Sequence, residues 1–179
     1  MTNAALAAKG YTADRGGPRT TKSKMMRLCE FLDFDSVRVD VGASNKRQLL
    51  QLLGQVAGGR LGFDPAAIVD SIVERERIGS TGFGRGVAIP HGKVDGLTQI
   101  YGMAVRLAEP IDYKAIDGAK VDLVFLLLSP PDAGAAHLKA LATISRTLRS
   151  EATLEKLRGA RSRDAFAAVL MATDERDAA

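Results

Sequence analysis

The chain has 179 residues, 46% of them hydrophobic and 5% aromatic, with a formal net charge of +4. That length suits a single domain with a substantial core, and the absence of Trp argues against base stacking on single-stranded nucleic acid. The lone Cys29 excludes an internal disulfide and reads as a small packing residue beside Leu28; no apolar run approaches the ~20 residues needed to span a bilayer.

The charge is unevenly placed. Residues 1–28 hold Lys9, Arg15, Arg19, Lys22, Lys24 and Arg27 against Asp14, a balance of +5 that leaves −1 for residues 29–179. The expected organisation is therefore a basic, disordered tail over 1–28 and one folded domain over 29–175. The folded part has no general basic footprint for nucleic acid. With no continuous apolar run of about seven residues near the start, no secretory leader is read, and the cytoplasm is the expected compartment.

Residues 37–41 (VRVDV) alternate as a half-buried strand does. Ser44 reads as a cap for a helix carrying Leu49, Leu52, Leu53 and Val56 and ending at Gly58-Gly59. Asp64-Pro65 opens a second helix with Ile68, Val69 and Ile72 facing inward, running out near Arg77, Ile78 and Gly79. A short strand is expected at 87–89, a longer one at 100–107 closed by Glu109-Pro110, and a central strand at 121–128 (VDLVFLLL) covered on both faces. After Pro130-Pro131 a helix begins between 132 and 135 and is expected to turn Leu138, Leu141, Ile144 and Leu148 inward. Two shorter helices follow, at 151–157 and 162–171. The order of elements implies an α/β fold: a three-layer α/β/α sandwich around a mixed sheet, in one domain.

Between the second helix and the strands, residues 80–92 read STGFGRGVAIPHG. The stretch lacks the sixth-position glycine of a dinucleotide fingerprint and the closing Gly-Lys-Ser/Thr of a P-loop. Its glycines suit a concave nest of backbone N–H groups, Gly82, Gly84 and Gly86 with the hydroxyls of Ser80 and Thr81, that would hold an anion. Pro90 stiffens the backbone that aims His91, and Gly92 leaves room beside the ring. A phosphoryl group carried on His91 would fit this arrangement, although a plain glycine turn with a solvent-exposed histidine satisfies the same spacing. Arg75, in the last turn of the preceding helix, reaches the loop as a planar anion-binding fork or pairs with Glu74 or Glu76 along its own helix. His137 lies in the first turns of the helix after Pro131, beside free N–H groups that favour an anion; capping or packing of that helix is its other reading.

The stretch RERIGSTGFGRGVAIPHGKVDGL (75–97), with PIDYKAIDGAKVDLVFLLLSP and HLKALATISRTLRS further on, closely resembles the EIIA domains of the fructose/mannitol type of the phosphoenolpyruvate-dependent phosphotransferase system. The stand-alone nitrogen-related branch is the most similar, and the resemblance spans residues 30–173. It implies the three-layer sandwich, His91 as the phosphorylated nucleophile through Nε2, Arg75 balancing the phosphoryl charge, and His137 orienting or stabilising it. It implies no cofactor and no metal, a nitrogen-branch HPr-like phosphocarrier as donor, and a monomer or weak homodimer. Regulatory targets such as potassium-transport or sensor-kinase components are implied, with no nucleic acid and no membrane insertion. A sugar-specific component passing phosphate to an EIIB and permease is the alternative, and an inert binding module is a third reading. Arg85, where related loops carry an uncharged residue, is expected to add positive charge near the site.

Overall fold

The computed structural model describes residues 25–178, and the basic tail up to residue 24 lies outside them. Six strands and five helices are found among the described residues: β1 (Arg38–Val41), α1 (Lys46–Leu61), α2 (Pro65–Ile78), β2 (Gly82–Gly84), β3 (Val87–Ala88), β4 (His91–Lys93), β5 (Tyr101–Ile111), β6 (Val121–Ser129), α3 (Gly134–Thr147), α4 (Glu151–Gly159) and α5 (Arg163–Ala178). The sheet order is β1-β5-β6-β3-β2, with β4 also paired to β6. β1 runs parallel to β5, β5 antiparallel to β6, and β3 and β4 parallel to β6, so the sheet is mixed as expected.

Residues of β6 alternate between two cores. Val124, Leu126 and Leu128 face Leu49, Leu53, Ile68 and Ile72 of α1 and α2. Leu123, Phe125 and Leu127 face Ile144, Leu154, Phe166 and Leu170 of the three later helices. All six are fully buried, and truncating one such leucine costs about 2–5 kcal/mol. These two cores are the filling of an α/β/α sandwich.

Several boundaries move for local reasons. α1 passes through Gly58-Gly59 and ends at Gly62, whose φ of 74° makes the left-handed cap. Gly58 is there for proximity, since a Cβ on it would sit 2.8 Å from the Pro65 ring and 2.9 Å from the Phe63 carbonyl. The first cap is Asn45 rather than Ser44, with Asn45 accepting from the Gln48 N–H. β5 continues through Pro110 to Ile111, because beyond Leu107 it has lost β1 as a partner and a missing N–H costs the ladder little.

Two side chains expected inside are outside. Leu138 is 66% exposed, because α3 buries Ala140, Thr143, Ile144 and Thr147, the opposite stripe of the helix. Cys29 is exposed while Leu28, its neighbour in a 3₁₀ turn, is buried. The fold also starts before residue 29. Leu28 N–H donates to the buried Asp174 carboxylate at 2.7 Å, and Thr143 Oγ1 donates to the Met26 carbonyl at 2.7 Å.

β2 and β3 form a hairpin whose first strand presses on the segment after β5. A Cβ on Gly82 would lie 2.6 Å from Ala115 Cα, a backbone atom that cannot step aside cheaply. Gly82→Ala is expected to lower stability by about 1–3 kcal/mol in urea unfolding. An unchanged midpoint would show that the 113–117 segment yields.

Candidate functional site

The proline of AIPHG interrupts what is otherwise a single strand running along β6. Val87 pairs with Leu123 and His91 with Leu127, so the register on β6 is kept across Ile89 and Pro90. Leu127 N–H donates to the Pro90 carbonyl at 3.0 Å. Pro90 lacks a donor, so the ladder onto β6 misses one bond there, and the pairs on either side carry the register. The result fixes His91 at the beginning of β4, near the C-terminal end of β6.

Helix α2 lies directly over the next residue. A Cβ on Gly92 would be 2.4 Å from Ser71 Oγ and 3.2 Å from the Ile72 nitrogen. Ser71 Oγ donates to the Lys93 carbonyl at 2.6 Å. Arg75 is one turn beyond Ser71 on the same helical face, which carries its guanidinium over the His91 ring. Arg75 Nε donates to His91 Nε2 at 3.0 Å, and its Nη1 donates to the Gly79 carbonyl at 3.1 Å. The ion pairs with Glu74 or Glu76 weighed from sequence are not the ones formed; Glu76 pairs with Lys46 instead.

The other ring nitrogen settles the tautomer. His91 Nδ1 is 2.8 Å from the Ile89 carbonyl, which can only accept, so Nδ1 carries the proton and Nε2 the lone pair. His137 stands beside it, ring centroid to ring centroid 5.4 Å. Ser129, at the end of β6, bonds His137 Nδ1 at 2.5 Å. The site therefore draws on four elements: α2, β4, β6 and the first turn of α3.

Burial is the largest influence on His91 and lowers its pKa from the ordinary 6.5. The bond to the Ile89 carbonyl opposes that, the Arg75 charge reinforces it, and Glu76 pulls weakly the other way. His137 is lowered too, first by burial, then by repulsion from the His91 ring when that is protonated, and then by Lys93 and Arg75. Both rings therefore favour the neutral form near pH 7, more so than a solvated histidine. A cavity of about 370 Å³ opens onto them, lined also by Ser71, Glu74, Arg75, Ile78, Gly92 and Lys93. Ile78 is 82% exposed there, and the outward Leu138 adjoins His137 in sequence. A larger cavity of about 580 Å³ between α1 and α2 is lined by Lys46, Leu50, Val69, Asp70, Val73 and Glu76 and contains neither histidine.

The glycine loop is placed differently from the nest expected of it. Gly82 pairs with Ala88 and Gly84 with Val87, so the loop is a β-hairpin, with Gly84 at φ 103° and Gly86 at φ 79° shaping its tip. The tip lies beside Leu123, about 13 Å along β6 from the Leu127 that pairs with His91 at ~3.3 Å per residue. Ser80 Oγ accepts from the Gly82 N–H, and Thr81 is turned inward onto Glu76. None of Ser80, Thr81, Gly82, Gly84 and Gly86 lines the His91 cavity. Arg85 is likewise away from the site, donating to the Leu148 and Arg149 carbonyls at the end of α3. Lys93, Ser129 and Ile78 also belong to the site, and a single lysine, serine or isoleucine carries no spacing signal in the sequence.

The arrangement defines an α/β protein that presents one imidazole, with its Nε2 lone pair directed at an arginine, at a cavity shared with a second imidazole. Residues 30–172 match the family described as Phosphoenolpyruvate-dependent sugar phosphotransferase system, EIIA 2, and the chain belongs to that family. It is 47% identical over 145 residues to a nitrogen regulatory protein of Bradyrhizobium diazoefficiens, covering 81% of this chain and 95% of that one. A nitrogen regulatory protein of Escherichia coli K12 is 33% identical over 156 residues, 87% and 96% of the two chains. Among solved structures, nitrogen regulatory protein IIA-Ntr from Neisseria meningitidis superposes with a TM-score of 0.76 at 31% identity, over 80% of this chain and 98% of that one.

The lowered pKa has a direct check. In an NMR titration the His91 ring should protonate with a midpoint below 6.5, and Arg75→Ala should move that midpoint upward by removing a repelling charge. A wild-type midpoint above 6.5 would mean that burial and the arginine do not dominate the ring.

Proposed function

We propose that the chain is a regulatory phosphocarrier that accepts a phosphoryl group on His91 Nε2 from an HPr-like protein of the nitrogen branch. The observation that carries this reading is the fixed tautomer: Nδ1–H is committed to the Ile89 carbonyl, leaving Nε2 as the one ring nitrogen with a lone pair. In the transfer the phosphorus–nitrogen bond to the donor histidine breaks as the bond to Nε2 forms, and the electron pair returns to the donor nitrogen. No proton has to leave His91.

Arg75 must give up its bond to Nε2 as the phosphoryl arrives, and its guanidinium then meets the phosphoryl oxygens instead. At ~4 Å and an effective dielectric near 20 such a charge pair is worth about 4 kcal/mol, enough to steady the group while it changes owner. His137, 5.4 Å away between ring centres, supplies a second polar group at the same place. Positioning and charge, rather than a base, stabilise the loose transition state. The glycine loop contributes by holding β3, which leads into His91.

Phosphorylation state would then decide which proteins bind, acting in the cytoplasm on targets such as potassium-transport or sensor-kinase components. The relatives named nitrogen regulatory protein favour this over onward transfer to a sugar-specific EIIB. The outward Ile78, which lines the same cavity as the two histidines, suits a protein partner rather than a small sugar.

Incubation with phosphoenolpyruvate, enzyme I and an HPr-like protein should add one acid-labile phosphoryl group, seen by intact mass and lost in His91→Ala. Arg75→Ala should slow transfer roughly a hundredfold, and His137→Ala should slow it without abolishing labelling. Label retained by His91→Ala would refute the acceptor assignment. Efficient transfer from the labelled chain to a sugar-specific EIIB would favour the uptake reading.

A further inference from the structure

Glu76 is a carboxylate with nothing obvious to do at the site. It is adjacent to Arg75, yet its side chain is 7% exposed and points away from the cavity that holds His91. Its surroundings are full of donors. Thr81 N–H donates to Oε1 at 2.9 Å, Thr81 Oγ1 donates to Oε2 at 2.5 Å, and Lys46 Nζ reaches Oε1 at 2.5 Å. The fully buried Tyr113 closes the group, its hydroxyl 3.0 Å from Thr81 Oγ1 and 3.4 Å from Glu76 Oε2. Lys46 also rests over the Tyr113 ring, 4.3 Å from its centre. Burial works against the charge on Glu76, but the bonds from Lys46 and Thr81 outweigh it and keep the carboxyl below its ordinary range.

The connection to the site runs through Thr81. Gly79 and Ser80 are exposed, and the β2 ladder begins only at Gly82, so Thr81 is the first inward residue after α2. Its carbonyl accepts from the Ile89 N–H at 2.9 Å. The Ile89 carbonyl in turn accepts from His91 Nδ1 at 2.8 Å. One residue of α2 thus reaches His91 Nε2 directly, and the next reaches His91 Nδ1 through Thr81 and Ile89.

We propose that Glu76 and Thr81 are positioning residues, which hold the Ile89 carbonyl where it selects the Nδ1–H tautomer and leaves the Nε2 lone pair available. The opposite tautomer would set an Nε2–H against the Arg75 Nε–H, two donors facing each other, and would have no lone pair with which to attack. A carboxylate is the right group for the task. Thr81 presents two donors to it, one to each oxygen, and a carboxylate accepts on both. Glutamine would offer one accepting oxygen and turn its NH₂ towards a donor. The effect on transfer rests on His91 being the acceptor, as proposed above; the effect on the tautomer does not.

The test reads the two separately. Long-range ¹H–¹⁵N spectra of the full chain, at a pH well above 6.5, should show wild-type His91 protonated at Nδ1. Glu76→Gln should mix in the Nε2–H form and reduce the transfer rate about tenfold, with KM for the HPr-like donor unchanged, because Glu76 is not on the exposed surface. Thr81→Val should act in the same direction and Thr81→Ser should restore both readouts. A wild-type tautomer or a wild-type rate in folded Glu76→Gln overturns the proposal; if that variant does not fold, Thr81→Val decides by the same criteria. A wild-type chain that takes no phosphoryl group would remove the proposed function while leaving the tautomer result standing.

Discussion

The bond from His91 Nδ1–H to the Ile89 carbonyl is short, local and dependent on everything around it. A backbone carbonyl two residues earlier can reach the ring only if the intervening residue has a set geometry, and Pro90 supplies one. It stays in place only if the strand on either side of the proline is anchored, which the pairing of Val87 and His91 on β6 provides. β6 can provide it because it is buried on both faces and cannot shift without opening two cores. The chemistry at one nitrogen is in this sense tied to the packing of the whole sandwich.

The second constraint is contact between α2 and β4 with no side chain from Gly92 in between. Gly92 removes the atom that would otherwise hold the helix off, and Ser71 crosses the gap to the Lys93 carbonyl. Arg75 and His91 come from segments 16 residues apart in sequence, yet their separation is set by a backbone-to-backbone approach rather than by flexible side chains. Such placement suits a group-transfer site, where small displacements of the reacting atoms are costly.

Much of this is legible in the sequence. The apolar run at 121–128 announces a strand with two covered faces, and the Asp64-Pro65 signal places the start of α2 correctly. His91, Arg75 and His137 stand out by residue type and spacing, and the fold brings them together. The glycines mislead, because the same residues that let a backbone wrap an anion also let it make a tight hairpin against Ala115, and only tertiary contacts distinguish the two. Arg85 misleads for a related reason: sequence proximity to the loop says nothing of which way the hairpin tip faces. Leu138 falls on the wrong stripe because α3 has apolar residues on more than one side. The part played by Glu76 is invisible in sequence, since its effect passes through two backbone carbonyls.

The Arg85 contact has a further consequence. The hairpin that leads into His91 is fastened at its tip to the Leu148 and Arg149 carbonyls just past α3, while the opposite end of that same helix carries His137. β6 joins the two near the site, pairing with β4 and ending at the Ser129 that binds His137. Hairpin, helix and strand thus form a braced triangle with the two imidazoles at one corner. The clearance between those rings is a dimension of the frame, so whatever is lodged there meets an opening of one gauge.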